Sequence, residues 1–441
     1  MTSGMKILFL QATFLFLLGN AGPVSKYFVV EKTLYAYDGD AYEEWSSWGN
    51  CSLKNECIQT RYRVCKDKSY QESFDDYTKN QGCNTKFIIE KRKCEGAELA
   101  RCTEKISEFK DKIRKKFENC GENANPQMKI VGGHKVKDNK AWPWNVGLFL
   151  DIKGISMEPF CSGTLITPQH VVTAAHCLEN IVSLVNVKPN RIPKNKWVKM
   201  SAFSDEIKIL AKVNDNDLTT REDLEIHQYI ESIIIHPQYN NKLGVRNDLA
   251  IFRLNNSLPI EQTENVCLPR MNEELPLNST CYAIGWGSTE KGTNNNKKRK
   301  RILETISAFL SSDRLLPSEF LDLSEEEEDI STENNSEVLM ETKMPLKNIR
   351  QCSSNMRYID RKVHICAGEV GIDTCRGDSG GGLFCQDQKL NNKWVLYGIT
   401  SFGVADGCGL HSGVYTAVHN SVKWIEDILY REELDRHSDQ D

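Results

Sequence analysis

At 441 residues the chain is long enough for two or three domains, and its net charge of −5 is too mild to mark a polyanionic partner, so a nucleic-acid ligand is not expected. Its 16 cysteines are an even number, which suits a compartment where cysteines pair. They lack the short C-x-x-C couples of a zinc site, so no metal and no cofactor is expected.

The chain opens M-T-S-G-M-K, continues I-L-F-L-Q-A-T-F-L-F-L-L and then reads G-N-A-G. A short basic start, an apolar run and a small-x-small ending match a secretory leader over residues 1–21, cut after about Ala21. A membrane span needs roughly 20 apolar residues, and this run is shorter, so the expectation is a soluble, secreted chain with no span. In such a chain the sequons at Asn255, Asn278 and Asn334 become expected glycan sites. Asn50-Cys-Ser is a weaker fourth, because its cysteine is expected in a disulfide.

Residues 42–51 read Y-E-E-W-S-S-W-G-N-C, and R-Y-R-V-C follows at 61–65. Residues two apart on a strand share a face, so Arg61 and Arg63 can both slide between the rings of Tyr42, Trp45 and Trp48. Each guanidinium stacked on an indole contributes on the order of 0.5–2 kcal/mol, and such a ladder can replace a hydrophobic core in a module too small to have one. These features, with six cysteines, resemble a thrombospondin type 1 repeat over residues 40–103. The resemblance implies the pairs Cys51–Cys94, Cys57–Cys102 and Cys65–Cys83, and a partner in matrix or glycosaminoglycan. The usual Ser/Thr-Cys-Gly element is missing between Cys51 and Cys57, so O-fucosylation is not implied, whereas Trp45 remains a C-mannose acceptor.

From Leu99 through Cys102, Ile106, Phe109, Ile113 and Phe117 to Cys120, apolar residues recur at spacings of three and four among Glu, Lys and Arg. That period predicts a helical connector roughly 30 Å long, placed in a linker and activation segment over 104–129. It is expected to pack on a neighbouring domain, the alternative being a coiled-coil dimer.

Residues 130–432 alternate short apolar runs with turns, among them W-N-V-G-L-F-L, L-A-I-F-R-L and W-V-L-Y-G-I-T, which predicts an all-β barrel or sandwich. The stretch ends in V-K-W-I-E-D-I-L-Y, whose period is helical. Within it, D-T-C-R-G-D-S-G-G-G places Ser379 between an aspartate and a glycine. A serine hydroxyl is a weak nucleophile that needs a base beside it, usually a histidine held by a buried carboxylate. His176 in T-A-A-H-C is the candidate base, and Asp248, which leads straight into an apolar run, is the candidate carboxylate.

With I-V-G-G at 130–133, N-D-L-A at 247–250 and S-F-G at 401–403 in the same order, residues 130–432 resemble a trypsin-like serine protease domain of the chymotrypsin fold. The resemblance implies two six-stranded antiparallel β-barrels and a C-terminal helix. His176, Asp248 and Ser379 would be catalytic, with the N–H groups of Gly377 and Ser379 as the oxyanion hole. Asp373 would stand at the base of a substrate pocket with Ser401, Gly403 and Gly413 around it, selecting Arg or Lys in extracellular protein substrates. Cleavage after Lys129 would free Ile130 to pair with Asp378, making the uncut chain a zymogen. The implied disulfides are Cys161–Cys177, Cys281–Cys385, Cys352–Cys366, Cys375–Cys408 and the tether Cys120–Cys267. Arg376 would disfavour basic residues after the scissile bond. Phe402, Gly382 and Ser412 depart from the usual Trp, Pro and Pro. An insertion near 290–336 carries K-K-R-K-R at 297–301 and E-E-E-E-D at 325–329, read as a solvated loop or a site of self-nicking.

Overall fold

The computed structural model describes residues 42–53, 57–66, 87–116, 119–122, 134–136, 141–153, 155–184, 192–242, 244–287, 336–353, 359–375, 377–403 and 408–438. The expected leader, Cys83, Lys129, Ile130, Asn334, Arg376 and residues 290–335 of the insertion lie outside them. The chain divides into two compact units that meet between Glu108 and Phe109.

In the first unit β1 (Ile58–Val64) and β2 (Phe87–Lys93) pair antiparallel, with Tyr62 opposite Ile89. The stretch from Tyr42 runs beside β1, donating Glu43 N–H to Val64 O, Ser46 N–H to Tyr62 O and Gly49 N–H to Thr60 O. The guanidinium of Arg61 lies 4.8 Å from the Trp45 ring centre and 4.7 Å from that of Trp48. Arg63 lies 5.5 Å over Trp45 and Arg92 4.2 Å over Trp48. Alternate positions of β1 therefore stack cations between indoles. Helix α1 (Gly96–Lys116) follows, and its Cys102 bonds to Cys57 while Cys51 bonds to Cys94. The helix covers most of the apolar period from Leu99 to Cys120, and Gly96, at φ +57°, provides its break from β2. Cys65 is also disulfide-bonded.

The second unit is all-β and chymotrypsin-like, ending in a helix. After β3 (His134–Lys135), the strands β4 (Asn145–Ile152), β5 (Ile155–Thr167), β6 (His170–Thr173), β7 (Val198–Lys199), β8 (Ile207–Val213), β9 (Ile226–Ile235) and β10 (Ala250–Leu254) form one sheet. These runs are rich in Ile, Val and Leu, which fit a pleated, buried surface. Their order is β10-β6-β5-β4-β8-β9, and β10 pairs back onto β9, so six strands close a barrel while β7 extends β9. Helix α2 (Ala175–Leu184) leaves the end of β6.

The second sheet differs from the expected six-stranded barrel. It joins β11 (Cys281–Gly285), β12 (Met340–Lys343), β13 (Leu346–Lys347), β14 (His364–Ala367), β15 (Gly382–Asp387), β16 (Lys393–Phe402) and β17 (Gly413–Ala417) with β3, in the order β13-β14-β17-β16-β15-β11-β12-β3. Among the described residues no ladder joins its ends. Consecutive strands β12 and β13 lie near opposite ends of this order and are joined through Met344, whose N–H bonds Cys281 O, and Pro345, whose carbonyl accepts from Gly368 N–H. The sheet is thus an open half-barrel.

The C-terminal helix runs Val422–Ser438, past the expected end at 432. Its buried Glu432 accepts from His170 Nε2 at 2.8 Å and faces Arg253 at 3.5 Å, which seats it on the first barrel. Five disulfides brace this unit: Cys161–Cys177, Cys281–Cys385, Cys352–Cys366, Cys375–Cys408 and Cys120–Cys267. Beside the last, Gly121 donates to Asn265 O at 2.9 Å and accepts from Trp394 N–H at 2.8 Å. At φ +63° and against the Trp394 carbonyl, that position has no room for a β-carbon. Among the described residues no helix is long and apolar enough to cross a membrane.

Candidate active site

Strand pairing brings the first two candidates together. Ala250 of β10 lies opposite Thr173 of β6, so the residues just before β10 meet those just after β6 at one end of the barrel. Asp248 is fully buried there. Its Oδ1 accepts from His176 N–H at 2.9 Å, and its Oδ2 lies 2.7 Å from His176 Nδ1. Ser401 Oγ donates to the same Oδ2 at 2.6 Å. Burial alone would raise this carboxyl, but the charge and ring N–H of His176, the Ser401 hydroxyl and the His176 backbone N–H together hold it below the ordinary carboxylate range. An ionised acceptor on Nδ1 fixes the imidazole tautomer, with the proton on Nδ1 and Nε2 as the basic nitrogen.

Ser379 is pressed onto the same barrel. Its carbonyl accepts from Ser162 N–H at 2.8 Å and lies 3.7 Å from Cys177 Sγ. Ser162 Oγ donates to Gly377 O at 3.3 Å. Gly380, at φ +81°, abuts Thr173 and Ser162 so closely that a β-carbon would clash with both. The turn therefore sits beside the Cys161–Cys177 bridge and, through it, next to His176. Cys161, His176 and Cys177 also cluster within 4.8 Å, but both sulfurs are spent in the disulfide and neither is a thiolate ligand.

Asp378 is buried against Gly285 and Gly287, accepting from the N–H groups of Gly287 and Cys375 at 2.8 Å each. Burial pushes its carboxyl up to about 6 against these two bonds. Asp373 lies on the other side of the turn, accepting from Thr374 N–H at 2.8 Å and Gly409 N–H at 3.3 Å. Burial raises it to about 6 as well. Gly413 faces its Oδ1 directly, and a β-carbon on Gly403 would meet open space.

The structure gives the Ser401 side chain to Asp248, where sequence reasoning places it beside the pocket. The sequence did not single out Tyr415, which is buried with its hydroxyl 3.0 Å from Thr374 Oγ1 beside Asp373. A tyrosine in a strand reads as core, and no motif marks it. Asn255 and Asn278 are exposed, as a glycan acceptor must be.

A closed barrel, an open half-barrel, and a His–Asp pair and serine turn at one end of that barrel define a chymotrypsin-like protein. Residues 130–314 and 328–425 match the trypsin family model, and the chain belongs to that family. It is similar to the protein named ovochymase from Halocynthia roretzi, with 28% identity over 320 residues. That stretch is 70% of this chain but only 16% of the curated relative's length.

Proposed function

We propose that the protein is a secreted serine endopeptidase, made as a zymogen and active after cleavage between Lys129 and Ile130, that hydrolyses extracellular proteins after Arg or Lys. The observation that carries this reading is the His176–Asp248 pair, bonded through both ring and backbone. Ser379 Oγ attacks the scissile carbonyl while His176 Nε2 takes its proton, and the resulting oxyanion accepts from the N–H groups of Gly377 and Ser379. The intermediate collapses as His176 returns the proton to the leaving amine, and a water then hydrolyses the acyl-enzyme by the same steps. Losing one oxyanion donor costs about 2.7–4 kcal/mol of transition-state stabilisation.

The Asp373 carboxylate, half-buried and bonded among the described residues to two backbone donors, supports selection of a cationic side chain, because other side chains leave the charge unpaired. Asp378, packed against Gly285 and Gly287 and likewise bonded to two backbone donors, is suited to receive the amine of Ile130. The paired cysteines support an extracellular setting.

The arginine–tryptophan stack of the first unit supports a thrombospondin-like docking module for matrix or glycosaminoglycan, and retention of residues 22–125 on heparin tests that role. The test of the enzyme is hydrolysis of Arg- and Lys-terminated chromogenic peptides before and after cleavage at Lys129, with Ser379→Ala as control. Activity confined to the cut wild type supports the reading. A correctly cut, folded chain with no activity overturns it.

A further inference from the structure

The Asp248 carboxylate is held by His176 and Ser401, but its backbone follows a turn between Asn240 and Arg246 that must itself be held. Asn240 and Arg246 close the turn on itself with bonds of 3.0 and 2.8 Å. Besides the Ser401–Asp248 bond, two links among the described residues join the turn to the second-sheet unit. Arg246 pairs with Asp360 at 2.8 Å, but this pair is half-exposed, at 47% and 28%, and such pairs contribute little. The other link is buried: His364 Nε2 lies 2.7 Å from Val245 O, and His364 is 3% exposed.

The partners of this ring fix its tautomer. Asp360 N–H lies 3.1 Å from His364 Nδ1 and can only donate, so Nδ1 carries no proton. The Val245 carbonyl can only accept, so Nε2 carries the proton. Burial holds the ring below the ordinary imidazole range, although the bond to Val245 O, Asp360 and Asp248 oppose that shift while Arg246 adds to it. The ring also meets Phe402 edge-on at 5.5 Å, and Phe402 directly follows Ser401, the second donor to Asp248.

We propose that His364 is a positioning residue for the reaction: its neutral, doubly bonded ring locks the Val245–Asp248 segment and the Ser401–Phe402 strand into one register, so that Asp248 meets His176 and Ser401 together. The inference rests on the catalytic reading of His176, Asp248 and Ser379. A histidine that only fills the core would contribute to stability and leave the His176–Asp248 bond unchanged.

The test compares full-length, cut protein carrying His364→Ala, His364→Gln or Arg246→Ala with the wild type, by peptide hydrolysis and by the far-downfield proton resonance of His176 Nδ1–H. Gln keeps a donor that reaches Val245 O. In the Ala variant, kcat is expected to fall about ten- to a hundredfold with KM little changed, and the His176 resonance to move. His364→Gln restores most of both, and Arg246→Ala leaves both within about twofold. A folded Ala variant with the wild-type resonance, or with a change in KM alone, overturns the inference. If the Ala variant does not fold, His364→Asn replaces it, since Asn can accept from Asp360 but falls short of Val245. Gln must then exceed Asn in kcat and in closeness to the wild-type resonance, and equality overturns the inference. Should the cut wild type hydrolyse nothing, the proposed function falls while the resonance comparison still decides the role of His364.

Discussion

Gly413 and Asp373 are so close that a β-carbon on the glycine would lie 2.8 Å from the carboxylate Oδ1. The glycine keeps that oxygen open to whatever enters. Gly413→Val should cover it and lower kcat/KM for Arg and Lys peptides about ten- to a hundredfold. Active-site titration with a serine-directed acylating reagent should show Ser379 still reactive. An unchanged kcat/KM would place the substrate cation elsewhere.

Asp373 is held near 6 by burial, so in the empty enzyme it becomes neutral as pH falls below about 6. A cationic ligand pairs only with the ionised form and drags its pKa down, so binding should weaken progressively below that pH. The inhibition constant of a small amidinium competitor, followed from pH 8 to 5, reads this directly. Asp373→Asn should bind weakly at every pH and lose the slope.

In Asp378 the carboxyl also sits near 6, well above its unfolded value. A raised carboxyl makes the folded state bind the extra proton, so its contribution is most favourable at low pH and is lost as pH rises toward 6. Above pH 6 the ionised, buried group should cost the uncut chain up to about 3 kcal/mol. Asp378→Asn should therefore raise the melting temperature of the uncut chain at pH 8 and abolish activity in the cut one. A lower melting temperature at pH 8 would show that the two backbone bonds already outweigh the burial.

The Asp248 carboxyl is depressed, and the sign reverses. It contributes stability above its unfolded pKa that is lost as pH falls through the lower folded value. Ser401→Ala removes one of its donors, so acid unfolding should begin at higher pH. Asp248→Asn should cost kcat about 10⁴-fold, because an amide can favour the wrong tautomer of His176.

Arg61 stands between two indoles and also bonds Glu90 at 2.6 Å. Arg61→Ala should destabilise the first unit by about 1–3 kcal/mol, visible as an earlier tryptophan-fluorescence transition. Arg61→Lys should recover only part, since an ammonium cannot stack on both rings and hold the carboxylate.

His176, Asp248 and Ser379 can be singled out in the sequence because each sits in a short contiguous motif, and a nucleophilic serine needs a base and a carboxylate elsewhere in the chain. The arginine ladder is legible for a related reason, since a period of two and spaced tryptophans are local facts. Long-range partnership is not. That the Ser401 hydroxyl turns to Asp248, that Tyr415 faces Thr374, and that His364 reaches Val245 each depend on register across strands distant in sequence. The order of the second sheet was equally hidden, since β12 and β13 are consecutive in the chain and yet lie near opposite ends of it.

The Cys120–Cys267 bond spans 147 residues, and Lys129 lies inside that span, while none of the other four bridges of the second unit encloses it. In the uncut chain this bond closes a ring and narrows the unfolded ensemble, a contribution of about 5 kcal/mol for so long a loop. Cutting at Lys129 opens the ring without releasing a fragment: the same two sulfurs turn from a fastening within one chain into a leash between two. Under the proposed activation, the chain would give up a topological restraint at the moment it gains a new α-amine, and the cut molecule would depend on where that amine goes for the rigidity the uncut chain draws from the ring.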